Sequence, residues 1–441
     1  MTAPSQARRA GFAAFFGTSV EWYDFFIYGT ASALILGKVF FPDLNPTAGV
    51  LASFATFGVG YLARPLGGVI FGHLGDRIGR KKSLVATLLM MGIATVGIGL
   101  LPTYATIGIA APIALVTLRV VQGIAVGGEW GGAVLIASEH AQSNRRVSAG
   151  AWAQQGAPAG NIMAAVAFLL VGLLPMEQFE AWGWRLPFLA SGILVVIGLV
   201  IRSGIAESPD FVKAVKDKAT VKLPVAEVIR KMPLLILLGA AAGAATNSAG
   251  TFAHVFGLNW ATTDLGMSRQ SMLTAILIMS IVQFVVQPFG AVLANRFEPI
   301  RVFQACMFAA VPLTPFAYLM VGTANTWLAG IGLATLIIPL CFAYAIIAGF
   351  LAESFPAHVR YTAISLSYQI TAVVLISGIP MISQFLLTST GTIWSVIGYQ
   401  LAYVVLAVVA ATVLSRRTGA GTRQLNELRA HSAPSTDHTT V

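Results

Sequence analysis

Long apolar runs broken by short polar segments set the pattern of this chain. A membrane-spanning helix takes about 20 apolar residues at a rise of about 1.5 Å each. That ruler predicts twelve spans, near residues 12–36, 47–72, 83–101, 110–138, 148–174, 185–201, 232–257, 270–294, 302–321, 327–351, 362–388 and 393–414. The longest polar stretch, 203–231, divides them six and six. The predicted fold class is an all-α membrane protein with an N-terminal half (1–202), a cytoplasmic central loop (203–231), a C-terminal half (232–416) and a cytoplasmic tail (417–441). The first run is too long for a signal-peptide core and carries Glu21 and Asp24, so it is expected to remain as a helix.

Charge sorts the polar segments into two classes. With the N-terminus inside, cytoplasmic segments hold 22 of the 27 Lys and Arg residues, and external segments hold only Lys38, Arg185 and Arg269. Arg64 and Arg119 fall within spans. The positive-inside rule then places both termini in the cytoplasm, in a multi-pass protein of the inner or plasma membrane. Composition agrees, since 56% hydrophobic and 10% charged residues with a mean hydropathy of +0.79 exclude a soluble chain. The formal charge of +10 therefore belongs to one face of a membrane protein and not to a nucleic-acid surface. Residues 203–231 read as a surface helix on the inner leaflet, and 417–441, rich in Ser, Thr, Ala and Gly, as a disordered tail. Cys306 and Cys341 lie in apolar runs and read as packing residues.

A weak internal repeat crosses the midpoint. Glu139 precedes Arg146 by seven residues after span 4, as Glu353 precedes Arg360 after span 10. Leu74-Gly75-Asp76-Arg77 after span 2 has a decayed echo, Leu293-Ala294-Asn295-Arg296, after span 8. Offsets of six spans fit two six-helix halves related by an axis along the membrane normal. Asn295 stands in place of the acid and Pro299 in place of Arg80, so a charge lock in the second half would be weaker.

Ionisable groups inside a bilayer are costly unless paired or hydrated, which makes each a functional candidate. Glu21, Asp24, Arg64, Arg119 and Glu129 qualify. On span 1, Thr18, Glu21, Asp24, Tyr28 and Ser32 share one helical face. Asp24 is the expected proton carrier, with Glu21 and Glu129 as further proton-coupling candidates, Glu21 lying nearer the cytoplasmic end where a structural role is expected; the alternative is that Glu21 and Asp24 both tie helices together. Arg119 and Gln122 share a face of span 4. Arg119 either holds a substrate carboxylate with its planar fork or permanently pairs with Asp24 or Glu129. Arg64 is expected near the inner gate, where a long basic side chain can snorkel. Gln154 and Asn161 share a face of span 5, and Asn247, Thr251 and His254 recur on span 7. His254 falls toward the outer end of its span, where a solvated imidazole is expected. Gly123, Gly127 and Gly131 form a small-xxx-small row, the signature of a helix contact.

The stretch Gly72-His73-Leu74-Gly75-Asp76-Arg77-Ile78-Gly79-Arg80-Lys81-Lys82 reads as a tight, charged turn between two spans, and it resembles the signature loop of the major facilitator superfamily. Around it stand Glu21-Trp22-Tyr23-Asp24-Phe25, Arg64-Pro65-Leu66-Gly67-Gly68, Arg119-Val120-Val121-Gln122-Gly123, Gly127-Gly128-Glu129-Trp130-Gly131-Gly132 and Trp182-Gly183-Trp184-Arg185-Leu186-Pro187-Phe188. Together these resemble the metabolite:proton symporter branch, the first half most of all its shikimate permeases. The resemblance implies two six-helix bundles and proton-coupled uptake of a small hydroxylated organic acid such as shikimate by alternating access. It also implies that spans 1, 4, 7 and 10 line a central cavity, which makes Asn247 and Tyr344 candidate substrate contacts beside Arg119 and Gln122; Tyr28 on the polar face of span 1 and Gln154 on that of span 5 are further candidates. Asp76, Arg77, Arg80, Arg64, Glu139 and Arg146 are the candidate cytoplasmic gate. Other cargo on the same scaffold remains open: a dicarboxylate such as 2-oxoglutarate, an aromatic acid, proline or betaine. So does a non-transporting metabolite sensor. Gly156-Ala157-Pro158-Ala159-Gly160 only partly resembles the Gly-Pro signature of drug antiporters, which weighs against efflux. No phosphate loop, metal-ligand spacing or nucleophile elbow stands out, so the expected partners are solute, proton and lipid, the expected state is a monomer, and no enzyme activity, cofactor or nucleic acid is expected.

Overall fold

The computed structural model describes residues 3–140, 154–203, 225–356 and 360–419. Twelve long helices account for most of them. In the first half, α1 runs Ala3–Ala31 and continues through a π-helical turn, Ser32–Leu36, to Gly37–Phe40. It is followed by α2 (Pro46–Leu62 and Arg64–Ile78), α3 (Arg80–Leu100), α4 (Ala110–His140), α5 (Gly156–Val171) and α6 (Leu186–Ser203). In the second, α7 (Pro233–Ala242 and Ala244–Thr263) bends by 44°, and α8 (Arg269–Arg296), α9 (Pro299–Gly322) and α10 (Thr326–Ser354) are continuous. Next comes α11 (Arg360–Ile370, a π-helical turn Thr371–Ile376, then Ile379–Thr390), and α12 (Trp394–Thr418) closes the half. Nine described helices are long and apolar enough to cross a membrane and the bent α7 makes a tenth; α1, with its buried acids, and the shorter α5 complete the twelve.

Local chemistry fixes the ends. Asn45, Ser268 and Asn325 accept backbone N–H bonds in the first turns of α2, α8 and α10, while α11 and α12 stop at Gly391 and Gly419 in the left-handed region. The α2–α3 reversal turns on Gly79 alone, at φ +103°, a conformation a side chain would strain. One-turn π segments widen both α1 and α7, which hold the same rank in the two halves.

Glycines set the closest approach, between α2 and α4. A Cβ on Gly123 would strike the Gly60 carbonyl, one on Gly127 the Arg64 carbonyl, and one on Gly67 the Ile124 carbonyl. The expected small-residue row is thus a helix contact at Gly123 and Gly127.

The halves meet as α1 against α7, α2 against α11 and α5 against α8. At the end away from the chain termini, called distal below, Arg269 of α8 donates to the carbonyls of Gly172 (3.3 Å) and Leu174 (2.8 Å) beyond α5 and stacks 4.2 Å from the Phe179 ring centre. Arg185 donates to Gly99 (2.9 Å) and Leu101 (2.6 Å) at the end of α3, and Lys38 pairs with Glu180 at 2.5 Å. The three basic residues that stand apart from the main charge pattern therefore each secure a helix end.

Gly127→Val is expected to force α2 and α4 apart at a cost of about 1–3 kcal/mol. Thermal unfolding in detergent will show a lowered midpoint, whereas Gly398→Val, at a position with open space for a side chain, will stay near the parent. Arg269→Gln removes charged hydrogen bonds worth about 1.5–3 kcal/mol each. Spin labels at the exposed Leu173 and Trp327 will then separate further, and an unchanged distance distribution refutes the role of Arg269 in joining the halves at this end.

Candidate functional site

The polar residues of α1 and α4 converge in the middle of the first half, where apolar packing surrounds them. Asp24 is 3% exposed and Arg119 is 4% exposed, so their hydrogen bonds decide whether they are tolerated there. Arg119 donates from Nη1 to Gln122 Oε1 (2.8 Å), Gln122 Nε2 donates to Thr95 Oγ1 (2.7 Å), and Thr95 Oγ1 donates to Asp24 Oδ2 (2.8 Å). From α6, Ser191 Oγ donates to Asp24 Oδ1 at 2.5 Å. Every donor in this chain points toward the carboxylate.

The rest of the guanidinium is held by α1 and α2. Its Nε and Nη2 reach the carbonyls of Thr56 (3.5 Å) and Phe57 (3.2 Å), and its centre lies 3.8 Å from the Tyr28 ring centre. A Cβ on Gly60 would collide with this guanidinium, so glycine is what leaves room for it. Three of its five N–H donors are used among the described residues, which leaves two.

Glu21, Asp24, Arg64, Arg119 and Gln122 all border one cavity of about 20 Å³, room for roughly one water. Five sequence candidates thus come together. Arg64 does not snorkel outward as expected: it is buried, stacked 4.4 Å from the Tyr61 ring centre, and hydrogen-bonded to Tyr368 of α11. Glu21 shares that cavity and lies within electrostatic range of Tyr344 and Tyr368, across the interface between halves.

Other candidates sit elsewhere. Tyr28 is fully buried beneath Arg119, its hydroxyl 2.5 Å from that of Thr56. The Gln154 carbonyl accepts from Gln287 of α8 at 3.2 Å. Asn247 donates back to the Gly243 carbonyl at 2.8 Å, and its Oδ1 is buried without a hydrogen-bond partner among the described residues. Tyr28, Gln154, Asn247 and Tyr344 do not border the small cavity. His254 is not solvated: it is 2% exposed inside the π turn of α7, with its ring 4.3 Å from that of Phe26 on α1. Its place near the outer end of the span does not bring it to water, because Phe26 of α1 packs against the ring. The side chains of Glu129, Glu139, Asp76, Arg77 and Arg80, together with Arg146, most of the central loop and the tail beyond 419, lie outside the described residues.

Sequence reasoning missed Thr95, Ser191 and Tyr368. A lone hydroxyl in an apolar span gives no signal, because it commonly bonds to its own helix, as Thr95 also does to the Met91 carbonyl at 2.9 Å.

Comparison with known proteins agrees with this architecture. The family described as Major Facilitator Superfamily matches residues 14–379. The inner membrane metabolite transport protein YhjE of Escherichia coli (strain K12) is 38% identical over 427 residues, covering 92% of this chain and 93% of that protein. The shikimate transporter of the same organism is also 38% identical, over 415 residues, covering 93% and 95%. The crystal structure of a D-xylose-proton symporter superposes with a TM-score of 0.73 at 16% identity over 93% of this chain and 97% of that one, a likeness of fold. This chain therefore belongs to the major facilitator superfamily, as a multi-pass membrane transporter of metabolites and not an enzyme.

Proposed function

We propose that this transporter imports a small hydroxylated organic acid, shikimate-like in chemistry, together with a proton, by alternating access with both termini in the cytoplasm. The observation that carries the reading is the directed hydrogen-bond chain from Arg119 through Gln122 and Thr95 to Asp24. Its Thr95 hydroxyl has one hydrogen and two acceptors in reach, Asp24 Oδ2 at 2.8 Å and the Met91 carbonyl at 2.9 Å. When Asp24 is ionised, the hydroxyl donates to it. When Asp24 takes a proton, the new O–H donates to Thr95 Oγ1 and the threonine hydroxyl turns to Met91. No hydrogen bond is lost in the exchange, so a buried carboxyl can load and release a proton at low cost.

Arg119 is the proposed substrate contact, with its two remaining donors on a carboxylate. Hydroxyl groups suit the second half of the reading, since Gln155 Oε1, Asn161 Oδ1, Asn247 Oδ1 and Gln369 Oε1 are buried acceptors without partners among the described residues. The 38% identity to a shikimate transporter supports the same solute class. A cavity of about 20 Å³ is far below the roughly 300–1,000 Å³ of small-molecule sites. The conformation is accordingly assigned as closed around the site, with the halves joined distally through Arg269 and centrally through Arg64 and Tyr368. Asp76, Arg77, Arg80, Glu139 and Arg146 are proposed to join Arg64 in the cytoplasmic gate, and Glu21, Glu129, Tyr28, Gln154 and Tyr344 to support coupling and binding.

Asp24→Asn keeps the size and loses the proton site. In proteoliposomes it is expected to abolish accumulation of labelled shikimate against an imposed pH gradient while retaining exchange; accumulation at the parental level rejects the assignment. Arg119→Lys keeps the charge but cannot reach two helix carbonyls and Gln122 at once. Loss of one charged hydrogen bond to the substrate, about 1.5–3 kcal/mol, corresponds to roughly tenfold or greater weakening in a thermal-shift titration with shikimate, and an unchanged titration excludes Arg119 as the carboxylate contact.

A further inference from the structure

The second half contains a large groove unrelated to the charged cluster. Helices α8 and α9 each pack extensively on α10 but hardly on one another. The space between them has a volume of about 880 Å³, with α10 as its floor. Arg296 and Arg301 stand at the end near the chain termini, and Ala305, Ala309, Leu313 and Ile338 carry an apolar lining inward. Small side chains keep it open, and Pro339 of α10 removes the N–H that would close on the Thr335 carbonyl; both residues line the space.

We propose that this groove is a binding site for an anionic phospholipid, with one acyl chain along α9 and the phosphate at Arg296 and Arg301. Three features select that occupant. From Arg301 to Leu313 the groove follows twelve residues of helix, about 18 Å, which matches one leaflet of a hydrocarbon core about 30 Å thick. Its apolar length lies among membrane-spanning helices, where acyl chains are the available solvent, and among the described residues its lining charges gather at one end. Those charges are two arginines and one acid: Glu298 pairs with Arg301 at 2.5 Å, while the Arg301 side chain stays 77% exposed. The net charge is positive, and basic pockets between helices at the cytoplasmic face recognise anionic lipid headgroups. Placing the site in the inner leaflet rests on the orientation proposed above; binding measured in detergent tests the site without it.

The test is native mass spectrometry of the full-length transporter, delipidated in detergent and titrated with phosphatidylglycerol or phosphatidylcholine. The parent is expected to retain phosphatidylglycerol over phosphatidylcholine by roughly tenfold, and R296Q/R301Q to lose that preference. Glu298→Gln, which frees Arg301, will raise retention. Ala309→Trp, which fills the groove and leaves both arginines intact, will lower it for both lipids. Equal retention of the two lipids by the parent, or retention unaffected by Ala309→Trp, overturns the proposal. A dimer that Ala309→Trp abolishes also overturns it, by showing that a second copy occupies the groove.

Discussion

A carboxylate and a guanidinium buried within the membrane-spanning helices are the constraint that organises the first half of this transporter. A charge at the centre of a bilayer costs several kcal/mol when isolated. Asp24 and Arg119 are 3% and 4% exposed, yet neither is isolated, because Gln122 and Thr95 relay hydrogen bonds between them and Ser191 closes the far side of the carboxylate. Four helices supply this one network: α1, α3, α4 and α6. Any motion that separates them exposes an uncompensated charge, so they are expected to move as a unit.

The glycines of α2 and α4 make that network possible. Side chains at 60, 123 or 127 would hold the two helices apart or occupy the place of the guanidinium. Without them Arg119 reaches the Thr56 and Phe57 carbonyls, which already belong to a helix and offer their second lone pair. Packing and electrostatics are therefore one problem here. Tyr28 contributes to both, filling space beneath Arg119 and offering it a ring face at 3.8 Å.

What was legible in the sequence follows from how rare each signal is. Twelve spans could be read from length and apolarity, because lipid leaves a helix few alternatives. Glu21, Asp24, Arg64, Arg119 and Gln122 could be read because charge in such spans is exceptional. The hydroxyls that satisfy Asp24 could not, since one Thr or Ser in an apolar run is ordinary. Span 7 was read to about residue 257 but continues to Thr263, where Asn259 is paired with Gln384 of α11 at 2.9 Å. A polar residue satisfied by another helix looks, in sequence, like a span end. The burial of His254 could not be read either, since it depends on Phe26 of α1 packing across the interface between halves.

The decay of the internal repeat has a structural consequence of its own. In the first half a single residue, Gly79, reverses the chain between α2 and α3, and the left-handed conformation it adopts keeps the two helices together. In the second half the corresponding reversal is made by Phe297, in an extended conformation, and Glu298, at φ −56° and ψ 120°, followed by Pro299 in the first turn of α9. A longer, non-glycine connection sets α8 and α9 apart, and the small side chains of Ala305 and Ala309 leave the gap unfilled. The two halves share a fold while meeting different demands. The first is held tight by glycine and charge around the buried Asp24–Arg119 network, whereas the second, relieved of the glycine turn, leaves a recess lined mostly by apolar side chains, which apolar matter fills at the least desolvation cost.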